Sequence, residues 1–149
     1  MEKAFELAIP LIKSFEGFSF KRYKCSAGYD TIGYGHLIRD SEKIPPQITE
    51  KEAEELLLAD LNISANALQK NCHVPLAPNQ QAALLSFIFN LGGGAFQSSA
   101  LRQKLNRQEY KNAANEFAKW CFAGGIMLKG LLRRRIAERD LFLNDAYVS

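Results

Sequence analysis

The stretch that decides the fold is residues 16–36, EGFSFKRYKCSAGYDTIGYGH. Up to Glu16, apolar residues recur at three- and four-residue steps, which predicts a short amphipathic helix. From residue 18 to residue 38 the apolar period changes toward two and glycines supply turns, so we expect a small β-sheet. The carboxylate of Glu16 therefore stands where a helix meets a hairpin, and that hairpin carries Cys25 and Thr31.

Helical patterns dominate the rest of the chain. Thr49 and Glu52 have the spacing of a capping box, and the apolar residues that follow predict a helix to about Lys70. About twenty helical residues span about 30 Å, enough to join two lobes. Pro10 either begins a second helical segment or lies within one continuous N-terminal helix. Further helical segments are predicted over residues 79–91 (the central core helix) and near residues 98–105, 108–120 and 131–144.

These elements predict an α+β fold that is mainly α. Residues 1–149 are expected to form a single domain, since a chain of this length can bury most of its apolar surface. A small N-terminal lobe of about residues 12–60 holds the sheet. The long helix joins it to a helical C-terminal lobe of about residues 61–149, which also takes in the N-terminal helix.

The net charge, the cysteines and the N-terminal segment each bear on the class of protein. The formal net charge of +3 suits an anionic polymer such as cell wall or nucleic acid and does not choose between them. The three cysteines (Cys25, Cys72 and Cys121) contain no C-x-x-C pair, which argues against a disulfide framework or a zinc site. The N-terminal segment has a charge every few residues, so neither a secretory signal nor a membrane anchor is expected there.

The residues around Glu16 fit the chemistry of glycosidic bond hydrolysis. That reaction needs an acid that protonates the leaving oxygen and a group on the opposite face of the sugar. Glu16 is suited to act as this acid, because desolvation in an aromatic cleft favours the protonated form of a carboxyl group. His36 has two interpretations: it pairs with Cys25 as in a Cys-His hydrolase, or it is a structural histidine that pairs with an acid.

The hairpin, with its TIGYGH run at 31–36, resembles the active-site hairpin of phage-type lysozymes, the endolysins of glycoside hydrolase family 24. The resemblance continues in order along the chain. It includes LIKSFEG at 11–17, QQAALLSFIFNLG at 80–92, FQSSALRQKLN at 96–106 and the RR-x-x-E motif at 134–138. It implies a lysozyme-like fold and a muramidase that cuts between N-acetylmuramic acid and N-acetylglucosamine, with no cofactor and no metal.

The resemblance also implies roles for individual residues. Glu16 would be the general acid, and Thr31 would position the attacking water. Cys25 stands where the family usually has Asp, and its role as nucleophile, base or water positioner stays open. His36 would pair with Asp60. The resemblance further implies three substrate-binding residues, namely Leu37, Phe89 and Ser99.

Partners and location follow from the same resemblance. The substrate would be peptidoglycan glycan strands, without nucleic acid, and the enzyme would be a monomer. It would accumulate in the host bacterial cytoplasm and reach the wall through a holin-type pore. A basic C-terminal helix is expected to be a solvated face that makes at most weak contact with anionic wall polymer or lipid. Its cations are Lys129, Arg133, Arg134, Arg135 and Arg139.

Other functions stay open from the residues. One is a peptidoglycan peptidase that uses Cys25 and His36. Another is a lysozyme homologue that binds the wall without catalysis, and a third is membrane lysis by the basic helix. A lytic transglycosylase, which forms an anhydro product without water, is a variant of the leading hypothesis, and Thr31 favours hydrolysis over it.

Overall fold

The computed structural model describes residues 1–147 of the chain. Its first element, α1 (Glu2–Glu16), is one continuous helix that contains Pro10, which decides between the two arrangements predicted for this proline. Ala4, Ala8 and Ile12 form its buried face. Gly17 ends the helix with φ 68°, a left-handed conformation that glycine adopts without the steric cost of a side chain.

The predicted sheet is present and antiparallel. Its strands, in order across the sheet, are β1 (Ser19–Lys24), β2 (Asp30–Gly33) and β3 (His36–Leu37). The central strand β2 buries Thr31 and Ile32. In the register of the sheet, Tyr23 lies opposite Thr31 on one side and Leu37 lies opposite it on the other. The candidate site residues Thr31 of β2 and Leu37 of β3 are thus held side by side.

The long helix α2 (Glu50–Asn71) begins at the predicted capping box. Thr49 Oγ1 accepts a hydrogen bond from Glu52 N at 3.1 Å, and Glu52 Oε1 accepts one from Thr49 N at 3.0 Å. Two of the unpaired amides at the start of the helix are thereby satisfied. The apolar face of α2 is buried, and Asp60 lies midway along the helix, where it faces the sheet through His36.

The helix α3 (Pro78–Leu91) is the centre of the core, as its apolar sequence predicts. It packs against α1, α2 and the last long helix, α7 (Lys129–Phe142). Phe87, at the middle of α3, is fully buried and contacts three other aromatic rings edge-on, those of Phe96, Phe117 and Trp120. Because α1 and α7 both pack on α3, residues near the two ends of the chain meet beside it.

The segment between α3 and α7 is more divided than predicted. It contains α4 (Gly93–Ser98), α5 (Ala100–Asn106), α6 (Tyr110–Ala114), a 3₁₀ turn (Phe117–Lys119) and a hairpin of β4 (Phe122–Ala123) and β5 (Ile126–Met127). A second 3₁₀ turn follows α7 at Asp145–Tyr147. The glycine run at 92–94 ends α3 at Leu91, and α4 begins within the same run. The hairpin around Gly124 and Gly125 was not predicted.

The expectation of a solvated basic face on α7 is wrong for two of its five cations. Arg134 and Arg135 are 4% and 0% exposed, because both turn toward the buried carboxylate of Glu138. Lys129 and Arg133 are exposed, and Arg139 is half-buried. Charge reversal at Arg135 would therefore disturb the core and would not test binding to an anionic surface.

Two further expectations concern the thiols and the membrane. Cys25, Cys72 and Cys121 are all free thiols, in agreement with the absence of a disulfide pattern in the sequence. Within residues 1–147, every helix is too short or too polar to cross a bilayer. The lobe boundary near residue 60 falls inside α2 and stays a prediction.

Candidate active site

The carboxylate of Glu16, the predicted general acid, is held by an arginine from the other end of the chain. Arg134 Nη1 donates a hydrogen bond to Glu16 Oε2 at 2.6 Å, across a sequence separation of 118 residues. The guanidinium is nearly buried, and the carboxylate side chain is 19% exposed. The ring of Phe15 lies 5.7 Å from the Arg134 guanidinium carbon. One oxygen of Glu16 is thereby fixed, and the other, Oε1, stays outside this ion pair.

Gly35 forms the wall beside Oε1 of Glu16. A Cβ atom at position 35 would lie 2.5 Å from Oε1, closer than real Cβ contacts come, and Gly35 has φ 76°. Both the space and the backbone conformation therefore require glycine at this point of the hairpin. The absence of a side chain lets the β2–β3 turn approach Oε1 of the carboxylate, and Gly35 itself also lines a cleft on the side of the hairpin.

Arg134 is itself held by a buried polar cluster. Glu138 Oε2 lies 3.4 Å from Arg134 Nε, accepts a hydrogen bond from Ser86 Oγ at 2.6 Å, and accepts another from Arg135 Nη2 at 3.2 Å. Arg135 Nη2 also donates to Asn90 Oδ1 at 2.9 Å. Arg135 Nε lies 2.8 Å from Glu138 Oε1 as an ion pair that is not aligned as a hydrogen bond. The cluster fixes the guanidinium that in turn fixes Glu16.

Cys25 and Thr31 are brought together at the other side of the hairpin. The pKa of the Cys25 thiol is lowered, chiefly by a hydrogen bond from the backbone of Tyr29, and the side chain of Thr31 contributes to the same shift. Thr31 is buried, and its Oγ1 donates to Tyr29 O at 3.0 Å. The tight turn after Cys25 thus directs polar groups at the thiol and favours the thiolate.

Tyr23 links the two parts of the site and was not among the predicted residues. Its pKa is raised, first by desolvation and then by the charges of Glu16 and Cys25. The phenol therefore lies within electrostatic reach of both groups, next to Thr31 in the sheet register. The alternation of Phe18, Phe20 and Tyr23 in the sequence identified a strand but gave no sign of this position.

His36 is a structural histidine that two carboxylates clamp. Its Nδ1 lies 2.8 Å from Asp60 Oδ2, which confirms the expected pair, and its Nε2 lies 3.0 Å from Glu42 Oε2. The ring is 4% exposed. The hydrogen bond to Asp60 is the largest cause that raises the pKa of His36, and Glu42 adds to it. Because both ring nitrogens are occupied by acids, His36 is not available as a base for Cys25.

A cleft of about 430 Å³ runs beside Gly35 and contains two of the three predicted substrate-binding residues. Leu37 of β3 and Phe89 of α3 line it from opposite sides. Ser99, the third predicted residue, does not line this cleft. It is 2% exposed and caps α5, where its Oγ accepts from Arg102 N at 3.0 Å and donates to Phe96 O at 2.7 Å.

A second cavity, of about 620 Å³, contains Glu16 itself. Phe15, Leu128 and Arg133 are among the residues that line it. Glu16 therefore stands between two hollows, with Gly35 on the side of the first and Arg134 on the side of the second. A linear polymer that occupied both hollows would pass over the Glu16 carboxylate.

Comparison with known proteins agrees with this geometry. The sequence model of the phage lysozyme family matches residues 13–138. The chain belongs to this family. The match includes Glu16, Cys25, Thr31 and Arg134, and it ends at Glu138, the buried partner of Arg134.

Relatives of this phage lysozyme family member include several endolysins. The endolysin of Bacillus phage B103 is 45% identical over 93% of the chain, which spans 53% of that protein. The chain thus covers about half the length of the Bacillus phage endolysins that it matches. The endolysin of Acyrthosiphon pisum secondary endosymbiont phage 1 is 40% identical, and 92% of the chain covers 95% of it. The structure of an endolysin from Escherichia coli O157:H7 phage FAHEc1 superposes with a TM-score of 0.84 at 32% identity, covering 100% of this chain and 96% of that one.

Proposed function

We propose that this phage lysozyme family member is an endolysin-type muramidase. It would hydrolyse the β-1,4 bond between N-acetylmuramic acid and N-acetylglucosamine in peptidoglycan. The observation that carries the proposal is the Glu16 carboxylate, whose Oε2 is held by Arg134 and whose Oε1 lies beside Gly35, between two hollows. Family membership supports the same reaction class.

Glu16 would act as general acid. Arg134 engages Oε2, so the free Oε1 beside Gly35 is the atom that would carry a proton to the glycosidic oxygen. A carboxyl that cannot rotate delivers its proton along one direction, which is the advantage of a positioned acid over one in solution. The neighbouring rings, Phe15 and Phe18, would exclude water from part of the bound sugar.

Cys25 and Thr31 would act on the attacking water. Thr31 offers a hydroxyl from the rigid central strand, and the lowered pKa of Cys25 increases the fraction of thiolate at neutral pH. A thiolate supplies the negative charge that the usual Asp of the family provides, and this charge would stabilise the oxocarbenium-like transition state. No metal or cofactor enters this scheme.

Access to the substrate is part of the same proposal. The chain would act as a monomer on glycan strands, with no nucleic acid partner. It would be held in the host bacterial cytoplasm and released to the wall through a holin-type pore. Its resemblance to endolysins supports the glycan substrate in this proposal.

The alternative reactions have less support. A Cys25–His36 peptidase needs a free imidazole, and both nitrogens of His36 are bound to carboxylates. A wall-binding homologue without catalysis would have no need for a glycine that opens space around Glu16. A lytic transglycosylase would have no need for a water-positioning hydroxyl such as that of Thr31.

The products of purified peptidoglycan separate these reactions. We expect new reducing ends on muramic acid and unchanged stem peptides, identified by mass spectrometry after digestion. Anhydromuramic ends would indicate a transglycosylase, and new amino termini would indicate a peptidase. Intact wall with bound protein would indicate a binding homologue. Any of these last three results would overturn the proposal.

A further inference from the structure

We propose that Arg39 is a specificity residue that binds a carboxylate of the stem peptide on N-acetylmuramic acid. This inference rests on the proposed function, because it concerns which glycan strands the muramidase prefers. Arg39 follows β3 and lines the 430 Å³ cleft together with Leu37 and Phe89. No motif in the sequence marks it, and the resemblance assigns it no role.

Arg39 is the one cationic side chain that lines this cleft among residues 1–147. Its side chain is exposed and has no carboxylate within 4 Å in the part of the chain that the structure describes. The other charged residue of the cleft is Asp60, whose Oδ2 is bound by His36. The remaining lining is apolar or neutral, with Ile63 and Phe89 as examples. A ligand in the cleft therefore meets an exposed guanidinium, with Glu42 as its nearby carboxylate, beside a surface suited to sugar rings.

The backbone of Arg39 is held in place although its side chain is free. Glu42 Oε1 accepts a hydrogen bond from Arg39 N at 2.8 Å, and Glu42 N donates to Arg39 O at 3.0 Å. Glu42 is in turn bound to the buried ring of His36, which is anchored to Asp60 on α2. This chain of contacts ties the base of the Arg39 side chain to the cleft wall, so less conformational freedom is lost when the guanidinium binds a ligand.

The chemistry of the substrate supplies the matching anion. The sugars of the glycan backbone are neutral while the stems are attached, and the negative charge of an uncrosslinked strand lies on the carboxylates of the stem peptides. A guanidinium presents paired N–H donors that match a carboxylate in a bidentate arrangement. Arg39 would therefore contribute little to binding of a bare glycan and would distinguish strands that carry stems.

The test uses three preparations of the same uncrosslinked glycan strands. The first bears native stems, and the second bears stems whose carboxylates have been converted to amides. The third has had its stems removed by an amidase, and the lactyl carboxylates that this exposes have also been converted to amides. Initial rates of reducing-end release give kcat and KM for the wild type, Arg39→Gln and Arg39→Lys. Lys111→Gln is the matched control, because it removes one exposed positive charge on α6, away from both hollows.

Arg39→Gln should raise KM on native strands by about tenfold and leave kcat unchanged. A tenfold change in affinity corresponds to the loss of one charge-assisted hydrogen bond. The effect should shrink as ionic strength rises from about 0.01 M to about 0.15 M, since the screening length falls from about 30 Å to about 8 Å. On amidated and stem-free strands the variant should match the wild type. Arg39→Lys should keep part of the preference, and Lys111→Gln should keep all of it.

An equal rise in KM on all three preparations would overturn the inference, because it would show a general role in the cleft. No change on native strands would overturn it as well. Failure of the proposed function is distinguishable from both results, since the wild type would then release no reducing ends from any preparation.

Discussion

Gly35 offers the sharpest structural perturbation of the site. In Gly35→Ala the new Cβ would stand 2.5 Å from Glu16 Oε1, so the carboxylate must retreat by about 0.9 Å to reach ordinary contact at 3.4 Å. It cannot retreat freely, because Arg134 holds the other oxygen at 2.6 Å. A displacement of about 1 Å at a reacting group costs about 10²-fold in rate, and we expect a loss of that size in kcat.

The same substitution also has a cost in stability that must be separated from its effect on the carboxylate. An alanine at φ 76° lowers the free energy of unfolding by about 1 kcal/mol relative to glycine. For a chain of this length, that loss lowers the melting temperature by about 3 °C. Gly125→Ala is the matched control, since Gly125 has φ 79° and open space around its missing side chain. It should lose similar stability and keep its rate.

Reducing-end release below the melting range of both variants, together with thermal unfolding, completes this test. The reasoning predicts a similar fall in melting temperature and about 10²-fold lower kcat for Gly35→Ala only. Equal kcat in Gly35→Ala and Gly125→Ala would refute the claim that Gly35 makes room for the Glu16 carboxylate.

Three further predictions concern other parts of the site. Cys25→Asp should stay active and Cys25→Ala should lose about 10²-fold in kcat, measured by the same assay; inactivity of Cys25→Asp would contradict the proposed role of the thiolate. Arg134→Gln should lower the free energy of unfolding in urea by about 3 kcal/mol, because it removes a counterion of buried Glu138; a change below about 1 kcal/mol would contradict this account. The raised pKa of His36 stabilises the fold fully at pH values below its unfolded pKa of about 6.5, and this contribution is lost as the pH rises through the folded pKa. The stability difference between the wild type and His36→Gln should therefore shrink as pH increases, and a constant difference would argue against the clamp by Asp60 and Glu42.

Local sequence patterns were sufficient for much of the fold. The capping box at Thr49, the sheet after Glu16 and the buried helix α3 each depend on residues within about one or two turns of one another, so periodicity and spacing predict them. The hairpin at 122–127 also carried a local signal, because Gly124-Gly125 stands between short apolar pairs, and this signal was missed.

The contacts that complete the site are long-range and could not be predicted in the same way. Glu16 and Arg134 meet only because α1 and α7 both pack on α3, and nothing near either residue in the sequence indicates the other. Ser99 presents a different difficulty, because its local sequence fits two roles. A serine at this position is consistent with sugar binding or with a helix cap, and only the structure shows that its hydroxyl accepts from Arg102 N of α5 and donates to Phe96 O of α4.

The most direct measurement of the central claim is the release of reducing ends from purified peptidoglycan by the wild type, Glu16→Gln and Glu6→Gln. Glu6 is an exposed glutamate of the same helix and serves as the control. The account predicts release by the wild type and by Glu6→Gln, and a loss of about 10²-fold or more in Glu16→Gln. Release by Glu16→Gln at the wild-type rate, or no release by the wild type, would contradict it.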